Sequence, residues 1–458
     1  VVDRQESLRT LFESRDGEPV QVIYVEREFQ LTQVDLSTPT AEERESRLRG
    51  YVGSVIASPM PLDTGPLFEA HLVRLQSNEH LLLIRIHHIV FDGQSSANLR
   101  DELSHFYRDS LAGEALELPE LPIQYADFAV WQREWLQGDQ LEQQVSYSRE
   151  KLSGAPQALE LPTDKPRPTT VSYSGARDER HISAGLMEAV SSLATSNGAT
   201  TFMVLLSVFC VLLKRYSGQS DILVGSPIAG RRHSELEGLI GFFVNTLVLR
   251  NDLDGNPAFS ELLARVRQTC LEAYDHQDVP FEKLVEELQP ARDLSRPPLF
   301  QTMFAAQKRE GVLIELDGIE VEDYPIERRS SKFDLSFSIV EGGDRSTLTV
   351  EYSTDLFDQS TVDRLASHYV QLLEQAVAQP SCPIDQLSML DESERRQLLV
   401  DWNETAVEYA TDETIHHWFE RQAAATPEAV ALEMFNESLT YGELNHRANV
   451  LARQLRTS

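Results

Sequence analysis

Apolar and polar positions fall in short runs along this chain, and the runs switch between a two-residue and a 3.6-residue period. Leu81-Leu82-Leu83-Ile84-Arg85-Ile86 is apolar, β-branched in part and preceded by the turn residues Ser77-Asn78, which predicts a buried strand. Phe68 to Leu75 predicts a second strand that forms a hairpin with it. Beyond Gly93, the positions Leu99, Leu103, Phe106, Tyr107 and Leu111 share one side of a helix, with Ser95 and Ser96 as N-caps and Gly113 as the stop. The chain opens on a helical pattern from Arg4 to Phe12, then the turn Asp16-Gly17 and a strand-like Pro19 to Val25. Thr40-Ala41-Glu42-Glu43 opens a polar helix, and Tyr125 to Gln132 reads as an aromatic-rich helix packed on the core.

Leu161 to Pro168 carries three prolines in eight residues, so it predicts an irregular crossing between two lobes. Past it the alternation repeats: an apolar helix through Leu213, a strand Asp221 to Gly225, a turn Ser226 to Arg231 and a strand Leu247 to Arg250. Phe333 to Val340 and Thr347 to Tyr352 predict a hairpin around Gly342-Gly343, and Ser360 to Ala378 an amphipathic helix that closes the lobe near residue 385.

At 458 residues the chain has room for about three domain-sized units, and 41% hydrophobic residues is enough for sizeable cores. Forty-one basic against 73 acidic residues give a net charge of −32, which repels nucleic acid and anionic membrane. Phe202 to Leu213 falls short of the ~20 residues that span a bilayer and reads as a core helix behind the caps Thr200 and Thr201. Cys210, Cys270 and Cys382 are odd in number and widely spaced, which suits a reducing compartment, with the cytoplasm as the expected location. The start Val1-Val2-Asp3-Arg4 has neither an initiator methionine nor a signal peptide, and the chain is expected to be a fragment of a larger protein.

The chemistry concentrates in His87-His88-Ile89-Val90-Phe91-Asp92-Gly93, where two imidazoles, a carboxylate and a glycine follow the apolar strand. Strand alternation predicts that His87 and His88 face opposite ways, so one does chemistry and the other packs. Two histidines and an aspartate could ligate a metal, but no further ligand stands at familiar spacing. A single buried structural histidine is the commoner reading of such a residue taken alone. Gly225 to Gly230 forms neither a Gly-x-Ser-x-Gly elbow nor a phosphate loop.

The run resembles the His-His-x-x-x-Asp-Gly motif of nonribosomal peptide synthetase condensation domains and of related acyltransferases such as chloramphenicol acetyltransferase. Other motifs similar to that family's follow in its order. They are Arg4 to Phe12, with Gln5 where histidine is usual; Tyr125 to Gln132; Gly241-Phe242-Phe243-Val244-Asn245-Thr246; His276 to Leu284; and Arg292 to Gln301. Gln94 and Ser148 stand where the family often has tryptophan. Thr426 to Leu432 and Leu439 to Asn445 resemble the start of an adenylation domain.

The resemblance implies an α/β (α+β) fold of two chloramphenicol-acetyltransferase-like lobes that form a V with a central tunnel, followed by the first piece of an adenylation domain. The divisions it suggests are a first lobe over 1–165, truncated at its start, a second over 166–385, a linker over 386–411 and the adenylation start over 412–458. It implies peptide-bond formation between two thioesters, carried on the phosphopantetheine arms of an upstream donor and a downstream acceptor carrier domain. This region would bind no cofactor, and ATP and magnesium would belong to the part of the adenylation domain beyond Ser458. His88 is the expected central residue, as general base or as a positioning and electrostatic group, with His87, Gly93 and Asn245 nearby. Asp92 is expected to be structural and paired with Arg4, with Arg9 or Arg231 as alternatives. His276 is read as a structural loop contact. An epimerisation domain, a CoA-dependent acyltransferase and a degenerate domain kept as a docking platform are the rival readings.

Overall fold

Turn residues cut the apolar runs into strands that gather in separate sheets. The computed structural model describes residues 1–458 except 26–28, 38–39, 290–292, 309–313, 327–328, 344, 409–411, 436 and 458. These residues form two compact units, Val1–Leu390 and Asp391–Ser458.

In the first unit, β1 (Thr10–Arg15) and β2 (Glu18–Ile23) pair across Asp16 and Gly17, both at positive φ. The helix predicted over Arg4 to Phe12 shrinks to one 3₁₀ turn, Glu6–Arg9, because Leu11 and Phe12 enter the ladder opposite Val22 and Gln21. A three-stranded sheet has β4 (Phe68–Arg74) at its centre, parallel to β3 (Leu31–Asp35) and antiparallel to β5 (His80–Ile86). Helix α1 (Ala41–Ala57) starts on a Thr40/Glu43 capping box and buries Leu48, Val52 and Val55 against Val73 and Leu83 of that sheet. Helices α2 (Gly93–Ala112), α3 (Tyr125–Trp135) and α4 (Gly138–Leu152) follow, and Gly113 ends α2 in the left-handed conformation the sequence predicts.

Beyond the proline-rich crossing, the order is β6 (Gly175–Ser183), α5 (Ala184–Ser196), α6 (Thr201–Ser217), β7 (Asp221–Ile228), β8 (Asn245–Asp252), α7 (Phe259–Asp275) and α8 (Phe281–Leu288). Then come β9 (Thr302–Lys308), β10 (Leu335–Glu341), β11 (Arg345–Ser353) and α9 (Gln359–Ala378). The strands form one six-stranded sheet ordered β6-β11-β10-β9-β7-β8, in which β9 runs parallel to both neighbours. Every residue of α6 from Met203 to Leu213 is buried between this sheet and helices α5, α7 and α9, which accounts for its lack of a polar face. No single helix among the described residues is long and apolar enough to cross a membrane.

Chain from the second half returns to the first. The Glu315 N–H donates to Ser104 Oγ (2.9 Å), and Tyr324 packs on the cluster under α1. The second unit carries α10 (Glu392–Leu399), α11 (Ile415–Ala425), the hairpin β12 (Val430–Met434) and β13 (Glu437–Thr440), and α12 (Tyr441–Thr457). Among its described residues only Ala423 is a buried hydrophobic residue.

Candidate active site

Strand β5 stops at Ile86, and the two histidines lie in the turn that follows. His87 is extended and its Nδ1 accepts the Ile89 N–H (3.1 Å); His88–Val90 is a 3₁₀ turn. The alternation argued from a strand therefore does not govern the pair. What separates them is the turn, which leaves His87 half-buried and His88 exposed. Burial, followed by the neighbouring His88 and Arg85, lowers the His87 pKa, so its neutral, hydrogen-bond-accepting form is favoured.

His88 is fixed on two sides. Its Nδ1 lies 2.5 Å from the Phe91 carbonyl, and its ring meets Phe242 edge-on, with centroids 5.1 Å apart at 87°. A carbonyl only accepts, so Nδ1 carries the proton and Nε2 keeps the lone pair. The residue thus presents a basic nitrogen on an exposed turn.

Asp92 ends the turn and caps α2, taking the Ser95 N–H (2.9 Å), a role the sequence pattern assigned to Ser95 and Ser96. Its carboxylate is buried and reaches across to the second half. One oxygen takes the Phe243 N–H (2.9 Å), and the other lies 3.1 Å from Arg231 Nη2, with both side chains almost wholly inaccessible. This corrects the expected pairing with Arg4, whose guanidinium binds Glu102 (3.0 Å) and the Pro119 carbonyl instead. Arg9, the other alternative, binds Glu6 and the Tyr24 carbonyl.

Arg231 also donates to the Leu236 and Leu239 carbonyls and to Ser95 Oγ, and it stacks on Phe243 at 4.0 Å. Burial pulls its pKa down while Asp92 opposes the shift; burial, then Asp92, pushes the adjacent Tyr125 up to about 12. Gly230 places the arginine: it sits at φ +68°, and a Cβ there would strike the Phe243 carbonyl. Gly93 is different. Apart from its chain neighbours and its own helix backbone, no atom lies within 4 Å of where its Cβ would be, so the open side of the turn, not a close tertiary approach, is what glycine preserves.

Asn245 does not reach His88. Its amide donates to the Gln277 and Val279 carbonyls (2.8 Å each), and its oxygen accepts from Thr246 N (2.8 Å) and Phe281 N (3.0 Å). Three of these four hydrogen bonds go to the 277–281 loop, so the amide expected at the reaction centre is occupied as a pin for that loop. His276 in the preceding stretch stacks on Tyr147 at 4.0 Å and contacts the Glu272 carbonyl, a structural arrangement. Arg292 lies outside the described residues.

Sequence reasoning missed Phe242, the residue against His88. It also missed Gln5, Ser7 and Asn98, which clamp the 237–241 segment from the first half. They stand in polar stretches, Asp3 to Ser7 and Ser95 to Asp101, so nothing local marks them. Between α3 and the 230–245 segment lies a cavity of about 540 Å³, with Phe242 in its wall. Among the described residues no group of three His, Cys, Asp or Glu side chains could hold a metal ion.

The mixed α/β unit has the fold of the chloramphenicol-acetyltransferase-like domains. Within that class this chain belongs to the condensation-domain family, whose model matches residues 1–399. It is 47% identical over 457 residues to a linear gramicidin synthase of Brevibacillus parabrevis, covering 99% of this chain and 9% of that protein. It is 41% identical over 459 residues to gramicidin S synthase 2 of Aneurinibacillus migulanus, covering 100% of this chain and 10% of that protein. The chain thus spans about a tenth of these relatives' length. Among solved structures, the X-domain in complex with OxyB from teicoplanin biosynthesis matches at TM-score 0.77 and 28% identity, over 85% of this chain and 86% of that one. A four-domain nonribosomal peptide synthetase, holo-AB3403, matches at TM-score 0.82 over 100% of this chain and 35% of that one; at 21% identity it bears on the fold alone.

Proposed function

We propose that this chain joins two aminoacyl or peptidyl groups, each delivered as a thioester on the phosphopantetheine arm of a carrier domain. The acceptor's α-amine attacks the donor carbonyl. The C–N bond forms, the C–S bond breaks, the thiol leaves and the amine loses one proton. One observation carries the reading: His88 lies on an exposed turn with Nδ1 2.5 Å from the Phe91 carbonyl, which in the neutral ring puts the proton on Nδ1 and leaves Nε2 with its lone pair.

Nε2 is suited to hold the attacking amine and to steady the charge of the tetrahedral intermediate, and it can take the amine's proton. Because a thioester is already activated, positioning and electrostatics are the larger part of its role. His87 accepts the turn's own N–H and keeps the turn in shape. Asp92 and Arg231 fix the distance between the turn and the Phe242 segment, and the open side of Gly93 leaves room for substrate and for a backbone N–H toward the oxyanion. Asn245 acts at one remove, through the loop that it pins.

In this reading residues 1–165 and 166–385 are the two lobes, 386–411 a linker and 412–458 the opening of an adenylation domain that loads the acceptor carrier. The partners are the upstream donor carrier, the downstream acceptor carrier and that adenylation domain. The test is a reconstituted reaction with both carriers preloaded: dipeptidyl thioester accumulates on the downstream carrier with the wild type and is lost with His88→Ala. A second reading, a platform that docks another protein, is favoured by the similarity to the X-domain crystallised with OxyB. No dipeptidyl thioester from either wild type or His88→Ala would select it.

A further inference from the structure

Four aromatic side chains of α3, Tyr125, Phe128, Trp131 and Trp135, line the cavity beside Phe242, and they do not share one job. Phe128 is buried and packs on Phe243, as a core residue should. Trp131 and Trp135 stack on each other (5.5 Å, 11°), and His233 from the other half meets Trp131 edge-on (5.2 Å, 83°). Trp131 nonetheless stays 41% exposed. A pair of stacked indoles that the core does not need, opening on a cavity of about 540 Å³, has the size and lining of a ligand pocket.

Resting on the condensation reading above, we propose that this cavity receives the side chain of one of the two substrates and selects a large aromatic one. Three observations support this. The first is continuity: Phe242 touches the His88 ring and also lines the cavity. A substrate side chain branches one bond from the reacting amine or carbonyl carbon, so a pocket sharing a wall with His88 lies within its reach.

The second is charge. Of the two carboxylates in the lining, Asp278 is held by both its oxygens on Arg232 (3.0 and 2.9 Å) and by Gln144 (3.2 Å), which leaves only the exposed Glu282 to meet a cationic side chain. The third is rigidity. The floor is preformed, since Gly241 lies so close to Tyr125 and Phe243 that a Cβ would collide with both. Flat, rigid aromatic walls around an unfilled space favour a flat apolar guest.

The test uses unreactive amide analogues of aminoacyl-pantetheine bearing tryptophan, alanine or lysine side chains, with binding to the full chain measured by calorimetry. Wild type is expected to bind the tryptophan analogue about ten-fold or more tighter than the alanine analogue, the range for filling an apolar pocket. In Trp131→Ala that ratio falls toward one. Trp135→Leu serves as the second variant, and an unchanged melting temperature in either variant confirms that it folds. Equal binding of tryptophan and alanine analogues by the wild type, or a ratio that survives in both variants, overturns the proposal; a preference for lysine overturns it in favour of a cation site. Because the analogues cannot react, the result is separate from the condensation reading. A chain that makes no dipeptide yet keeps the ratio loses that reading and keeps the pocket.

Discussion

Asp92 and Arg231 are the residues whose chemistry the fold constrains most tightly. The carboxylate carries one ion pair and caps a helix while buried, so Asp92→Asn leaves a buried guanidinium without its counter-charge, a loss of about 3–5 kcal/mol. Urea denaturation is expected to show that loss, with His88→Ala much less destabilised because His88 is exposed, and Arg231→Met restoring part of the loss in the Asp92→Asn background. Equal stability of Asp92→Asn and His88→Ala would count against the pair. His87 gives a pH test. Burial lowers its folded pKa, so above the unfolded value near ~6.5 both states are neutral and its contribution is intact. As the pH falls through and below that value the unfolded chain takes up the proton first, and the contribution is lost. Between pH 8 and pH 5 the wild-type melting temperature should drop more steeply than that of His87→Gln, and parallel curves would contradict this. The family resemblance, not spacing, carried the expectation that His88 is central and that Asp92 pairs with an arginine. It did not single out Arg231 from three arginines, since that choice depends on a contact 139 positions away in the chain.

Elements were most legible where one face of the pattern is buried, as in the β4–β5 hairpin, α1 and α6. Legibility fell where pairing partners are remote. Strand β9 sits inside the six-stranded sheet, yet nothing local distinguishes Thr302 to Lys308 from a loop, and its parallel neighbours come from far along the chain. The opening helix was misread because its apolar period fits a 3₁₀ turn running into a strand equally well, and the pairing with β2 decided it. Gly225 marks a related device. It lies in β7 where the ring of the buried Phe300 crosses the strand, and a methyl group there would overlap that ring. Gly225→Ala is expected to cost about 1–3 kcal/mol by overpacking, measurable in thermal melts. An unchanged melting temperature would mean that Phe300 moves freely, contrary to a packed core.

Across the whole molecule, the two halves of Val1–Leu390 are fastened at one level by Asp92 with Arg231 and at another by Gln5, Ser7 and Asn98 on the 237–241 segment. The pairing of motifs from both halves around Phe242 was not legible in the sequence, which orders residues along the chain but not across it. On the proposed function, His88, held by Phe91 and Phe242, is the group that positions the attacking amine in that assembly. Single-turnover formation of dipeptidyl thioester from two preloaded carriers, followed across pH in the complete synthetase module, tests it most directly. His88→Ala is expected to slow the reaction by about 10²–10⁴-fold, with a deficit that persists at high pH, where the amine deprotonates unaided. Wild-type rates from His88→Ala at every pH would contradict it, and a deficit that vanished at high pH would reduce His88 to a proton acceptor alone.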